Sequence, residues 1–361
     1  MQTRTRIIAL AIASTLFIAG CKQAEAPKTG ADSTTAATAG AKSEASITGA
    51  GATFIFPLLS RWSSSYNKET GAEINYQSIG SGGGIQQIKA GTVDFGSSDK
   101  PLKSEELAEA GLAQFPSAMG GVVPVINVEG IAAGSLKLTG PILADIFAGK
   151  ITQWNDAKIT AVNAGTALPN SKINLVVRSD SSGTTYNFTN YLSKVSPEFK
   201  TAVGEDSKVN FPAGSLGGKG NDGVASYVKQ AKNSIGYVEL AYALENKMNT
   251  VQLQNAAGNF VSPTIESFQA AAASADWANA KDFNLVITNA PGADSWPIAA
   301  TNFILVHKDP KDKKRVADAL AFFKWAYANG GEQAKELHYV PLPAAVVQQV
   351  EAYWAQNIKT Q

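Results

Sequence analysis

From residue 46 to the C-terminus, short β-branched apolar runs alternate with segments whose apolar residues recur at helical spacing. Glycine and serine gather where one gives way to the other. Alternation of this kind is the mark of an α/β fold. Leu58, Leu59, Trp62 and Tyr66 share one helical face, with Pro57 in the expected first turn, where a missing N–H costs nothing. Ile74-Asn75-Tyr76 predicts a strand, Ile85 and Ile88 begin a second helix after a glycine run, and Val93-Asp94-Phe95 predicts another short strand. Val122 to Val128 suits a buried strand, and Leu175-Val176-Val177 and Phe303 to Val306 predict two more. Phe188, Tyr191, Leu192 and Val195 lie at helical spacing, and a last helix is expected around Leu320, Phe323 and Trp325. The strands at 122–128 and 303–306 adjoin long, different blocks. Both are expected to pass between two domains, one of them built from both chain ends.

The first twenty residues read as an address. Arg4 and Arg6 precede an apolar stretch from Ile7 to Ala19 that is too short, with such flanks, to span a bilayer. It ends in Ile18-Ala19-Gly20-Cys21, which resembles the lipobox of bacterial lipoproteins, where the cysteine is lipidated and becomes the new N-terminus. Residues 1–20 are therefore expected to be a lipoprotein signal peptide, and residues 21–45, poor in large apolar side chains, a flexible tether. Cys21 is the only cysteine in 361 residues, so no intramolecular disulfide and no cysteine-based zinc site can form. An exported chain of this kind must rely on a large core.

The chain carries 31 basic and 30 acidic residues; without Arg4 and Arg6 the balance is 29 to 30. No basic surface points to nucleic acid. An anionic ligand would have to be held by local dipoles and not by net charge.

Four segments offer such dipoles, because N–H groups at a helix start lack intrahelical partners and face outward. They are Gly49-Ala50-Gly51-Ala52-Thr53-Phe54, Gly80-Ser81-Gly82-Gly83-Gly84, Gly96-Ser97-Ser98-Asp99 and Arg178-Ser179-Asp180-Ser181-Ser182-Gly183-Thr184. Any one of them alone reads as an ordinary turn or cap. Asp99 is out of place among anion-friendly loops unless the ligand carries a proton for it to accept. Hydrogen phosphate does, and sulfate at neutral pH does not, so Asp99 would act as a selector.

These residues, GAGATF at 49–54, SIGSGG at 78–83, DFGSSD at 94–99 and RSDSSGT at 178–184, resemble the ligand loops of the periplasmic phosphate-binding proteins, the receptors of the ABC phosphate importer. GGKGNDG at 217–223, IGYV at 235–238 and Trp296-Pro297 resemble the same family, and the likeness runs from about Ser46 to Ile358. The resemblance implies a two-lobed periplasmic-binding-protein fold, type II-like, with the ligand in the interlobe cleft. Residues 46–125 and 300–361 would form lobe I and residues 126–299 lobe II. It implies phosphate contacts from Thr53, Phe54, Ser81, Asp99, Arg178, Ser182, Gly183 and Thr184, with Asp180 orienting Arg178. It implies inorganic phosphate as ligand, no cofactor and no metal. As partners it implies the permease subunits of an ABC transporter with their cytoplasmic ATPase, and a membrane reached through a lipid on Cys21; the chain itself would be a periplasmic monomer without catalysis. Two departures stand out: Ile55-Phe56-Pro57 follows Thr53-Phe54 where the family commonly has another proline-containing run, and Gly82 stands where many relatives carry a second serine.

Other readings fit less well. Gly218-Lys219-Gly220-Asn221-Asp222-Gly223 matches a dinucleotide fingerprint, but no apolar strand is expected before it, and it reads as a lead into a helix at Val224. A secreted phosphatase would need a nucleophile elbow or a metal set. There is no G-x-S-x-G, and His307 and His338 lack metal-ligand spacing. A lipid-anchored adhesion protein would explain Cys21 but not Asp99.

Overall fold

The computed structural model describes residues 45–361. The expected signal peptide, Cys21 and the tether up to residue 44 lie outside the described residues. The molecule is organised by the strand Leu112–Asn127. Its first part, as far as Gly121, pairs antiparallel with Ala299–His307, and its second, from Val122, pairs antiparallel with Ser234–Glu239. Beyond Ala299–His307 lie Phe95–Ser98, Ser46–Gly51 and Glu73–Ser78; beyond Ser234–Glu239 lie Asn174–Arg178 and Leu216–Gly218. Within each outer group the strands are parallel, and helices connect them. The result is two α/β halves sharing one central strand. The fold is thus the mixed α/β architecture that the alternating pattern predicts.

The central strand reaches ten residues further toward the N-terminus than the 122–128 run. All but its last residue are buried, so it has no polar alternation to betray it. Its first part is disguised by Gln114, Pro116, Ser117 and Gly120-Gly121, each with a structural reason to be there. The register slips opposite Asn302/Phe303, leaving Ser117 as the bulged residue beside Pro116, and a bulge is where a sheet tolerates proline. The Phe268 ring occupies the space a Cβ on Gly121 would need, at 2.2 Å.

Two further expectations are corrected. The strand placed at Val93–Phe95 is Phe95–Ser98, because Asp94 turns aside to accept Thr48 N–H at 2.7 Å and to pair with Arg315. Gly96-Ser97-Ser98 is therefore buried strand and not loop, and only Asp99 follows it. The GGKGNDG segment begins inside a short strand, Leu216–Gly218, and its helix starts at Gly220, not Val224. That strand is short and glycine-rich, so apolar patterning cannot reveal it.

Each half has an aromatic core. In one, the Phe323 ring packs edge-on to Phe95 and Phe115, with centroids 5.2 and 5.8 Å away, and Phe115 packs on Trp354. In the other, Phe188 stacks on Tyr237 at 4.1 Å and meets Phe147 at 4.7 Å. Phe323→Ala would leave a cavity in the first cluster and is expected to cost about 3–5 kcal/mol. A urea-unfolding midpoint equal to wild type would contradict this.

Candidate functional site

The C-terminal ends of five parallel strands point to one place, where the two halves face each other. In open α/β sheets this is where ligands bind. Ser46–Gly51 delivers Thr53 and Phe54, Glu73–Ser78 delivers Ser81, Phe95–Ser98 delivers Asp99, Asn174–Arg178 delivers Arg178 to Thr184, and Leu216–Gly218 delivers Asn221. Three helices begin here, at Ser81, Gly183 and Gly220, so their N-terminal dipoles converge.

Asp99 is buried. Its Oδ1 accepts the Asn302 side-chain amide at 2.8 Å and its Oδ2 lies 3.5 Å from Ser81 Oγ. Burial pushes its carboxyl up to about 7, against the hydrogen bond from Asn302, the charge of Arg178 and the Ser81 hydroxyl. Arg178 is held by Asp180 through two bonds, Nε to Oδ1 at 2.8 Å and Nη2 to Oδ2 at 2.6 Å, and its Nη1 reaches Thr184 Oγ1 at 3.3 Å. Burial works against the Asp180 charge, but the Arg178 hydrogen bonds and charge and the Gly220 N–H prevail and hold its carboxyl below the ordinary range. The backbone N–H of Arg178 rests on Tyr237 Oη, which also meets Thr185 Oγ1 at 2.8 Å, so the Phe188–Tyr237 stack props this loop.

The halves touch across the site. Gly183 N–H donates to Ser81 Oγ at 3.1 Å, Asn187 Nδ2 to the Asp99 carbonyl at 2.7 Å, Tyr242 Oη to the Thr53 carbonyl at 2.6 Å and Gly82 N–H to the Ser181 carbonyl at 3.0 Å. At the rim Lys100 Nζ meets Asp206 at 2.7 Å. The approach is close enough to require glycine: a Cβ on Gly183 would lie 2.5 Å from Ser81 Oγ and 2.7 Å from Asp99 Oδ2. The same holds at Gly82, where a Cβ would lie 2.3 Å from Ser181 Oγ, so a serine there would displace Ser181.

All eight expected contact residues and Asp180 are thus brought into one cluster, though their donors differ in availability. Ser182 N–H is taken by the Ser207 carbonyl at 2.8 Å, and Ser182 Oγ caps the helix by accepting Thr185 N–H at 3.0 Å. Among the described residues the N–H groups of Thr53, Phe54, Ser81 and Thr184 find no acceptor. These four donors are at buried residues, where an unmet N–H is costly, and they suit an oxyanion. The Gly220 helix start is different: Gly220 N–H donates to Asp180 Oδ1 at 3.0 Å and Asn221 N–H to Thr53 Oγ1 at 3.1 Å, leaving those two amides nothing for a pyrophosphate.

Four buried neighbours escaped the sequence reading: Asn187, Asn221, Glu239 and Asn302. Asn302 carried a signal, a carboxamide inside the apolar run Ala299–His307, since a buried polar residue needs a reason. Glu239 ends its strand fully buried, donates its backbone N–H to Asn221 Oδ1 at 3.0 Å and sets Oε2 2.8 Å from Tyr339 Oη. Burial pushes its carboxyl well above the ordinary range.

Comparison with known proteins shows what the chain is similar to. The PBP superfamily domain matches residues 34–329. The phosphate-binding protein PstS of Xylella fastidiosa (strain Temecula1) is 61% identical over 355 residues, 97% of each chain. The protein of the same name from Pasteurella multocida is 52% identical over 314 residues, covering 87% of this chain and 91% of its own. Among solved structures, a high-affinity periplasmic phosphate-binding protein (PfluDING) bound with phosphate superposes with a TM-score of 0.68 at 24% identity, over 85% of this chain and 93% of that one. A phosphate ABC transporter substrate-binding protein from Clostridium perfringens gives 0.61 at 19% identity, over 82% and 100%. These structural matches establish the two-lobed fold.

The Asp99 carboxyl sets a pH dependence. An unfolded aspartate titrates near about 3.9. Between there and about 7 the folded chain keeps a proton that the unfolded chain has lost, so this group's contribution to stability falls as pH rises through that window. Asp99→Asn removes that slope. Without ligand, the melting temperature of wild type is expected to fall relative to Asp99→Asn from pH 4 to pH 7; a constant difference would contradict the buried-carboxyl assignment.

Proposed function

We propose a receptor function on one premise: the chain belongs to the PstS family of phosphate-binding proteins, within the PBP superfamily. The chain binds inorganic phosphate outside the cytoplasm and delivers it to the permease subunits of an ABC importer driven by a cytoplasmic ATPase. The observation that carries this reading is a buried ring of donors containing one carboxyl with a raised affinity for a proton. Thr53, Phe54, Ser81 and Thr184 supply free N–H groups, and Arg178 keeps one edge of its guanidinium clear of Asp180. Asp99 accepts the proton that phosphate brings. Ser182 and Gly183 shape the helix start that faces the anion.

Lobe I, residues 46–125 and 300–361, carries Thr53, Phe54, Ser81 and Asp99; lobe II, residues 126–299, carries Arg178 and Ser182 to Thr184. A ligand held from both sides favours the closed arrangement by its differential contacts. The receptor acts as a monomer and performs no chemistry. Turnover of a chromogenic phosphate ester above background would contradict that. The lipid on Cys21 would tether the receptor to the membrane near its permease.

Calorimetric titration is expected to show tight binding of phosphate and weak or no binding of sulfate, with discrimination on the order of 10³-fold. Equal affinity for both would overturn the reading. Asp99→Asn is expected to narrow the gap by ~10-fold or more. Cells expressing the full chain should incorporate labelled fatty acid into it, and Cys21→Ser should not; equal labelling of the two would refute the anchor.

A further inference from the structure

We infer that Asn221 is the residue that makes the hydroxyls of Thr53 and Thr184 obligate donors, and so decides that this site accepts oxyanions. The inference deepens the receptor reading and rests on it. Asn221 is fully buried, at the start of the helix Gly220–Gln230. Its Oδ1 accepts the Glu239 N–H at 3.0 Å, which fixes the amide orientation: a flipped side chain would set two donors against each other. Nδ2 must then point both its protons the other way, one to Thr53 Oγ1 at 2.7 Å and one to Thr184 Oγ1 at 3.3 Å.

A hydroxyl has two lone pairs and one proton. Thr53 Oγ1 accepts from Asn221 Nδ2 and also from Asn221 N–H at 3.1 Å, so both its lone pairs are engaged by this one residue. Thr184 Oγ1 accepts from Asn221 Nδ2 and from Arg178 Nη1 at 3.3 Å, so its lone pairs are engaged too. Neither hydroxyl donates to any acceptor among the described residues. Each proton therefore has one direction left, into the site. Without Asn221 both hydroxyls could rotate and present oxygen instead of hydrogen, and an anion would meet repulsion where it needs a bond. The two contacts to Thr53 also cross between the halves, so the orientation is completed only when they are closed. Asn221 works as a positioning residue through Thr53 and Thr184, without touching the ligand.

The test is a double-mutant cycle read by phosphate titration on the full-length protein, with the ligand-free melting temperature measured alongside. Asn221→Ala is expected to weaken phosphate binding ~10- to 100-fold, the worth of a hydrogen bond to a charged group. In the Thr53→Val background the same change should cost at least about threefold less, because that hydroxyl is no longer there to be oriented. Asn221→Asp, which keeps the size and the Glu239 N–H acceptor, guards against a folding defect in the alanine variant. It should also lose ~10-fold or more, in part recovered when Thr53 is valine, because its carboxylate would draw the hydroxyl protons inward. Effects that add fully across the cycle, or affinity losses no larger than the loss of ligand-free stability implies, overturn the inference. Wild-type protein that binds no phosphate overturns the receptor reading itself, whereas wild-type binding with an additive cycle overturns only the role of Asn221.

Discussion

Asp99 is a carboxyl taken out of water, and much of the molecule is arranged around the cost of keeping it there. An ionised carboxylate in such surroundings would lose several kcal/mol of hydration. Two hydrogen-bond partners, Asn302 and Ser81, and the nearby Arg178 charge are not enough to restore its ordinary proton affinity. Asn302 is in turn held by Ser97 Oγ at 2.9 Å and by Ser117 Oγ at 2.8 Å. Ser117 is the bulge residue of the central strand, so the irregularity in the sheet places the partner of the site's carboxyl. Removing the bulge would realign the strand and take Ser117 from Asn302.

The local charge balance explains how a chain with almost no net charge can favour an anion. Arg178 and Asp180 cancel, and the charge of Asp99 would be met by the proton that phosphate brings. What remains is a set of dipoles: three helix starts, free backbone N–H groups and hydroxyls whose lone pairs are already engaged. Dipoles of this kind are fixed by the fold and need not reorganise when an anion arrives. The Arg178–Asp180 pair also sets geometry, because two parallel bonds to one carboxylate hold the guanidinium plane.

The loops of this site were legible in the sequence because each combines a strand end, small residues and a helix start within a few positions. Asp99 stood out as an acid among them, and the family resemblance singled out Thr53, Ser81, Arg178 and Thr184. Asn187, Asn221, Glu239 and Asn302 did not, since each works through a contact far away in the chain: Asn221 meets Thr53 across 168 positions and Asn302 meets Asp99 across 203. Local pattern has no access to such pairs. The fold shows the same division. Helices with a clear apolar face, such as Phe56–Thr70 and Gly183–Val195, were readable, with Pro57 and Ser182 marking their starts. The first part of Leu112–Asn127 was not, because a strand buried on both faces and broken by a bulge has no period to read.

Glu239 shows how the base of the site can hold a second acid without opposing an anion. It pairs with Val122, the residue at which the central strand changes partners, so it sits where the two halves join. Burial, reinforced by the Asp99 charge, pushes its carboxyl well above the ordinary range in spite of the bonds with Tyr339 and the Ala241 N–H. A charge there would add to that of an incoming oxyanion. Tyr339 Oη has one proton, and the Phe54 carbonyl at 2.7 Å can only accept it, so a protonated Glu239 can donate from Oε2 to Tyr339 Oη, 2.8 Å away. The Phe54–Ile55 peptide is thereby tied to the junction of the halves, and Tyr242 holds the Thr53 carbonyl, whose own peptide presents the Phe54 N–H. Both ties act on carbonyls, so the N–H groups of Thr53 and Phe54 remain free while the loop that bears them is held in place.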